Sequence, residues 1–369
     1  MLRRPHRTLS AALALALALP FAALHAEELT RIGVAENGRG FVDGASGQPF
    51  VPLGFNYDHD EAGRLLEDYW IEEWDKVEQD FQELADLGAS VVRIHLQLGR
   101  FMAGPSEPRQ ASLDQLAKLL TLADRCGLRL DLTGLGCYHK ADVPDWYDAL
   151  TERERWDAQA AFWEAVAATC RGRGAVFCYD LMNEPVVPGG QRQAGEWLGP
   201  AFAGKHFVQF ISLDSAGRPR PDVAQAWIRH LSAAIRRHDS EALITVGLVD
   251  WSLDRPGLTS GFVPSAIAGD LDFLCVHLYP EAGQVTEALE TLAAFAEAGK
   301  PVVIEETFPL KCSLAEFEEF LRGSRAHAAG WIGFYWGKTP DELRQGVTIG
   351  DALLLRQLEA FQKFRRDEL

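Results

Sequence analysis

Eight short apolar runs, each followed by a stretch of helical periodicity, constrain this chain more than any other feature. Residues 50–56, 90–97, 128–133, 175–182, 243–248, 271–278, 301–306 and 331–336 are rich in Val, Ile, Leu and Phe. They read as buried strands. Segments 70–87, 113–125, 152–171, 222–238, 285–297 and 314–322 lie between them and repeat apolar residues at the spacing of a helix; segment 352–365 follows the last run. Strands alternating with helices imply parallel pairing through crossovers. Eight such units point to a (β/α)8 TIM barrel. The unit after the fifth run is the weakest, with only a short helical piece near 265–268. An open doubly wound sheet is the alternative. It usually carries a glycine-rich phosphate turn after its first strand, and Gly54-Phe55-Asn56-Tyr57 is not one. Ahead of the first run, residues 40–43 and 48–49 flank the turn 44–47, a hairpin expected to close the bottom of the barrel.

The chain begins with a basic cluster, Arg3, Arg4 and Arg7, and then a nearly continuous apolar run, 9–24. This is the pattern of a secretory signal peptide over residues 1–26, with cleavage after Ala26 and a single domain over 27–369. A membrane anchor is the competing reading, but the run is short against the ~20 residues a span needs. The expected destination is the periplasm or the exterior, and the Ala- and Arg-rich composition looks bacterial. The formal net charge is −17, and removal of the leader's three arginines takes it to −20. Such a surface repels phosphate backbones, so nucleic acid is not an expected partner. None of the six cysteines has CxxC spacing, which leaves a zinc or redox motif unsupported. The disulfide considered for an exported protein is Cys126 with Cys170, which would both end neighbouring helices.

The strand ends carry the chemistry. In a barrel of this type the pocket forms at the C-terminal ends of the strands. The second run ends Arg93-Ile94-His95-Leu96-Gln97, and period two puts Arg93, His95 and Gln97 on one face. The fourth ends in Asn183-Glu184-Pro185, the sixth in His277-Leu278-Tyr279, the seventh in Glu305-Glu306 and the eighth in Trp336. A lone buried Arg or His is more often a satisfied core residue. Polar groups at the same end of several successive apolar strands are better explained by a site.

This arrangement resembles glycoside hydrolase family 5 and, more broadly, the clan A barrel hydrolases, from the first run to Trp336. The resemblance implies a retaining glycosidase with Glu184 as general acid/base and Glu306 as nucleophile. It further implies that Asn183 contacts the sugar 2-hydroxyl, that Arg93 and Tyr279 flank the nucleophile, that His277 lines the site and that Trp336 is a sugar platform. The third strand departs from the family pattern. It lacks the usual histidine, and His139, six residues beyond Thr133, is the candidate to replace it. The loop Asp58-His59-Asp60-Glu61 is unusually acidic.

Glu305 competes with Glu306. If Val302 and Ile304 fill the barrel, Glu306 follows them inward and Glu305 points to the helix layer. Two paired carboxylates suit glycosidic bond cleavage, because two like charges close together disfavour each other and one of them tends to keep a proton. No metal or organic cofactor is needed for this chemistry, and no metalloprotease helix or nucleophile-elbow serine supports a rival hydrolase. Tyr57, Tyr69, Trp70, Tyr138, Trp146, Tyr147, Trp197 and Trp251 crowd the expected top loops, where half or more are expected simply to pack. The expected partner is therefore a carbohydrate, a β-linked glucan or mannan. An exo-acting or transglycosylating β-glycosidase and a non-catalytic sugar-binding barrel are the alternatives. The sugar and the oligomeric state are not legible in the sequence.

Overall fold

A computed structural model describes residues 29–255 and 258–369; the expected leader lies outside them. Eight parallel strands close into one barrel. They are β1 (Leu53–Tyr57), β2 (Val91–Gln97), β3 (Arg129–Gly136), β4 (Val176–Asn183), β5 (Ile244–Val249), β6 (Leu274–His277), β7 (Val302–Glu306) and β8 (Gly330–Gly333). Each pairs with its sequence neighbours, and β8 returns to β1 through Trp331, Ile332 and Gly333 opposite Leu53, Gly54 and Phe55. The open-sheet alternative is thereby excluded. The helices outside are α1 (Trp74–Asp86), α2 (Gln110–Arg125), α3 (Glu152–Cys170), α4 (Arg220–Arg236), α5 (Pro264–Ile267), α6 (Val285–Ala296), α7 (Leu314–Ser324) and α8 (Ile349–Glu368). The fifth unit has only the single turn α5, as its weak pattern foretold.

Strand alternation separates two apolar layers. On β2, Val92, Ile94 and Leu96 pack outward against the helices, so Arg93 and His95 turn inward. The lower interior is filled by Val91, Phe177, Cys178, Phe273, Cys275, Val303 and Ile332. The bottom is closed by three short antiparallel strands, Ile32–Val34, Phe41–Asp43 and Pro49–Phe50, one more than the expected hairpin. Phe41 plugs the opening, edge-on to Phe177 at 5.3 Å and Phe273 at 5.2 Å between ring centroids.

β7 corrects the expectation for its two glutamates. Val302 and Ile304 face the helix layer and Val303 faces the interior, so Glu305 is the residue that continues the inward face. The register then slips. Val276 pairs with Ile304, but His277 pairs with Glu306, which leaves Glu305 as an extra residue. Such a bulge bends the strand and re-aims its side chains. Both glutamates therefore turn into the barrel, Glu305 below and Glu306 above.

All six cysteines are free thiols, so the pairing of Cys126 with Cys170 does not form. Among the described residues no helix is long and apolar enough to cross a membrane.

Candidate active site

Arg93 is the centre of the upper barrel. Its guanidinium is shut away from water, and all five of its N–H donors have acceptors. Nε donates to Thr133 Oγ1 at 2.8 Å. Nη1 donates to Asn56 Oδ1 at 2.9 Å and to Glu306 Oε1 at 2.5 Å. Nη2 donates to Asp180 Oδ2 at 3.0 Å and to Asn183 Oδ1 at 2.9 Å. One cation thus ties together side chains from β1, β3, β4 and β7. Its planar fork fixes direction as well as charge.

Glu306 also accepts from the Tyr279 hydroxyl at 2.6 Å. Burial pushes its carboxyl upward and Glu184 adds to that, while His277, Arg93 and Tyr279 pull the other way. The net displacement is upward. Glu184 reaches the same space from β4. Its Oε1 lies 2.9 Å from His277 Nδ1. Oxygens of Glu184 and Glu306 and a nitrogen of His277 lie within 4.8 Å of one another. His277 holds its charge: burial opposes it, but Glu306, Glu184 and Glu305 outweigh burial and push it up to about 10. Asn183 uses its amide nitrogen on the Phe207 carbonyl at 3.1 Å, with a second N–H to spare.

Gly247 lies against this cluster. A Cβ there would stand 3.0 Å from each of Arg93 Nη2, Glu305 Oε2 and His277 Nε2, so the charged layer and the β5 backbone meet only over a glycine.

The structure brings together Arg93, Asn183, Glu184, His277, Tyr279 and Glu306, and leaves out two expected residues. His139 makes no hydrogen bond with the cluster among the described residues, because β3 runs on to Gly136 and carries it past the rim. Its neighbour Tyr138 turns in instead, hydroxyl 2.5 Å from His95 Nδ1. Trp336 lies beyond the end of β8 and is only 2 % exposed, packed on Tyr57 at 5.9 Å, so it offers no open face to a sugar. Tyr335 is half-exposed beside it and stacks on His59 at 4.3 Å.

Several residues of the site went unsingled in the sequence. Asn56 donates its amide nitrogen to the carbonyls of Glu305 and Gly333, so its oxygen can only accept. It accepts from Arg93 and, at 3.2 Å, from His95 Nε2, which therefore carries the proton. Burial and the Arg93 charge push His95 down to about 3. It is neutral, and its bare Nδ1 accepts from Tyr138. The alternation of β2 signalled His95; nothing local signalled Asn56, Asp131 or Asp180. The acidic loop contributes Asp58, whose Oδ2 binds His59 at 2.7 Å while Oδ1 has no hydrogen-bond partner among the described residues.

Of the expected loop aromatics, Tyr57, Tyr69, Trp70, Tyr138, Tyr147 and Trp197 are buried packing groups; Trp146 and Trp251 keep exposed surface. Trp251 follows Asp250, whose carboxyl is pushed up by burial with Glu184 nearby. The long segment after β4 folds over the β3 side. His206 N–H donates to the Tyr138 carbonyl at 2.9 Å, and Trp197 packs edge-on to Tyr147 at 4.8 Å.

The family profile described as Cellulase (glycosyl hydrolase family 5) matches residues 44–339. No curated protein matches the chain. Solved structures with the same fold include an exo-β-1,4-mannosidase, Op5Man5, from Opitutaceae bacterium strain TAV5. It aligns with TM-score 0.65 and 20% identity over 91% of this chain, which spans only 62% of that one. A β-1,4-mannanase from the sea hare Aplysia kurodai aligns with TM-score 0.63 and 16% identity, over 92% of this chain and 97% of that one. A GH5_18 protein of Streptomyces cattleya in complex with Manβ1-4GlcNAc aligns with TM-score 0.62 and 17% identity, over 87% and 82%.

Proposed function

The chain belongs to glycosyl hydrolase family 5 and is a glycoside hydrolase, and on that premise we propose that it cleaves β-mannosidic bonds with retention of configuration. The observation that carries the mechanism is the separation of the two carboxylates. An oxygen of Glu184 and one of Glu306 lie within 4.8 Å of each other, which favours the close ~5–5.5 Å carboxyl pairs that act by double displacement. The wider ~6.5–9.5 Å class leaves room for an inverting water.

In this mechanism Glu306, held by Arg93 and Tyr279, attacks the anomeric carbon with one oxygen. The glycosidic C–O bond breaks, and the leaving oxygen takes the proton of Glu184. A glycosyl ester of Glu306 results. Water then attacks the same carbon, gives its proton to Glu184, and releases the Glu306 carboxylate. In this proposal the spare N–H of Asn183 binds the sugar 2-hydroxyl. The mannan class is supported by the solved relatives, an exo-β-1,4-mannosidase and a β-1,4-mannanase among them.

A second reading, exo action on short oligosaccharides, is favoured by the loops at the mouth. Lys205, in the segment after β4, has its ammonium 3.7 Å from where a Cβ on Gly63 would sit, so the loops after β1 and β4 approach across the cleft. The same proposal includes export: the leader over 1–26 is removed, which N-terminal sequencing of the exported protein tests.

A panel of β-mannan, β-glucan, xylan and mannooligosaccharides, with products separated by size, decides substrate and mode. Proton NMR of the first-formed product from a β-mannan should show the β-anomer. A first-formed α-anomer overturns the mechanism.

A further inference from the structure

Glu305 and Asp131 lie beneath the reacting pair, and the reaction has no step for them. Glu305 is fully buried. Its Oε2 lies 3.2 Å from His277 Nε2 and 3.5 Å from Arg93 Nη2, while Oε1 has no hydrogen-bond partner among the described residues. The His277 ring therefore spans two carboxylates, Nε2 toward Glu305 and Nδ1 toward Glu184. An imidazole donates to both sides only when both nitrogens carry protons.

We infer that Glu305 is a positioning residue for Glu184: by accepting one N–H of His277 it keeps the ring doubly protonated and the other N–H fixed on Glu184 Oε1. Glu184 Oε2, which makes no hydrogen bond among the described residues, is then the oxygen left to exchange a proton with the substrate. The inference rests on Glu184 being the acid/base.

The charges facing His277 agree. From β7 come Glu305 and Glu306, the latter with Oε1 3.6 Å from Nδ1. From β4 comes Glu184, and Asp180 through Arg93; from β2 comes Arg93 itself; the Tyr279 hydroxyl comes from just beyond the end of β6. Burial and Arg93 oppose the imidazolium; the Glu306 charge and the hydrogen bonds to Glu184 and Glu305 outweigh them. For Glu305, burial opposes the charge, but Arg93 and His277 hold it below the usual carboxylate range. Asp131 on β3 faces Glu305 from the other side. Burial, Glu305 and Asp180 push its carboxyl well up, away from the charged form.

An ordinary buried histidine would lose its charge near or below neutrality. The test is NMR of the full chain labelled with ¹⁵N-histidine, with the His277 signals identified by their loss in His277→Gln. In the unaltered protein His277 should keep the shifts of a doubly protonated ring to about pH 8 or beyond. In Glu305→Gln it should become singly protonated by about pH 8. Turnover of mannooligosaccharide should then fall roughly tenfold or more, part of the ~10²–10⁴-fold of acid catalysis, with a much smaller loss on an activated aryl mannoside. The inference is overturned if His277 is singly protonated at neutral pH in the unaltered protein, a result that needs no variant to fold. It is equally overturned if Glu305→Gln leaves the ring charged, or if both substrates lose activity equally. Equal losses in Glu184→Gln would instead sink the acid/base assignment while leaving the His277 titration as observed.

Discussion

Glu184 holds a left-handed backbone, φ 47°, which residues other than glycine seldom adopt. Its N–H donates to the Gly247 carbonyl at 2.9 Å, which keeps the turn in place. Strain of this kind concentrates where a side chain must be aimed. Glu184→Gln keeps the shape and removes the transferable proton. Its loss should be large, ~10²–10⁴-fold, for a sugar leaving group and much smaller for an activated aryl glycoside. Glu306→Gly should lose hydrolysis and regain turnover with azide, which enters the vacated space, while Glu305→Gly should show no such rescue. Stability offers a separate residue-level test at Glu67. Part of its stem reaches solvent, but Oε2 is shut away from water without a partner among the described residues, and Oε1 accepts from the Gln97 N–H at 2.7 Å. Burial pushes this carboxyl up to about 7 from an ordinary 4.5. The folded state then holds more protons than the unfolded state between those values, so this group's contribution falls as pH rises through that window. Glu67→Gln keeps the acceptor and removes the charge. It should match the unaltered protein at about pH 4 and exceed it by about 1–3 kcal/mol at about pH 8 in denaturant unfolding. An unchanged gap across that range would contradict the assignment.

At the scale of the element, β7 departs most from its pattern. Period two cannot place two successive side chains on one face, and the extra residue opposite His277 does what period two forbids. β3 runs three residues past Thr133, to Gly136, which replaces His139 by Tyr138 at the rim. α5 is one turn long, yet the barrel closes, because β5 is held on both sides by parallel pairing to β4 and β6. The three-stranded plug has its own consequence. Phe41 sits between Phe177 and Phe273 far from the carboxylates, so Phe41→Ala should cost about 3–5 kcal/mol of stability. Thermal unfolding should report that loss while turnover well below the transition stays nearly unchanged. A collapse of turnover in the folded variant would mean that the plug supports the site directly.

For the whole molecule, closure of the barrel brings β2, β4, β6 and β7 to one axis, and Arg93 of β2 reaches β4 through Asp180 and Asn183 and β7 through Glu306. A cation so placed lets several buried carboxylates share one space without leaving any charge unpaired. No covalent cross-link contributes. With six free thiols, a thiol reductant should leave the melting temperature unchanged within a degree or so; removing a native disulfide typically costs about 2–5 kcal/mol, which would lower it by several degrees.

The eightfold alternation, the inward face of β2 and the carboxylates at the ends of β4 and β7 were legible in the sequence, because periodicity is a local property and a polar residue in an apolar strand stands out. The site's outer residues were not. Asn56 and Asp180 announce nothing locally; they matter because closure sets them against an arginine 37 and 87 residues away. Trp336 reads as a platform by position and is a packing group in space, since exposure depends on what the neighbouring loops cover. The direction of Glu305 turned on a one-residue slip between β6 and β7. A strand's own sequence sets which residues alternate, but only the partner strand sets where the register breaks, and that break is what turned both glutamates inward.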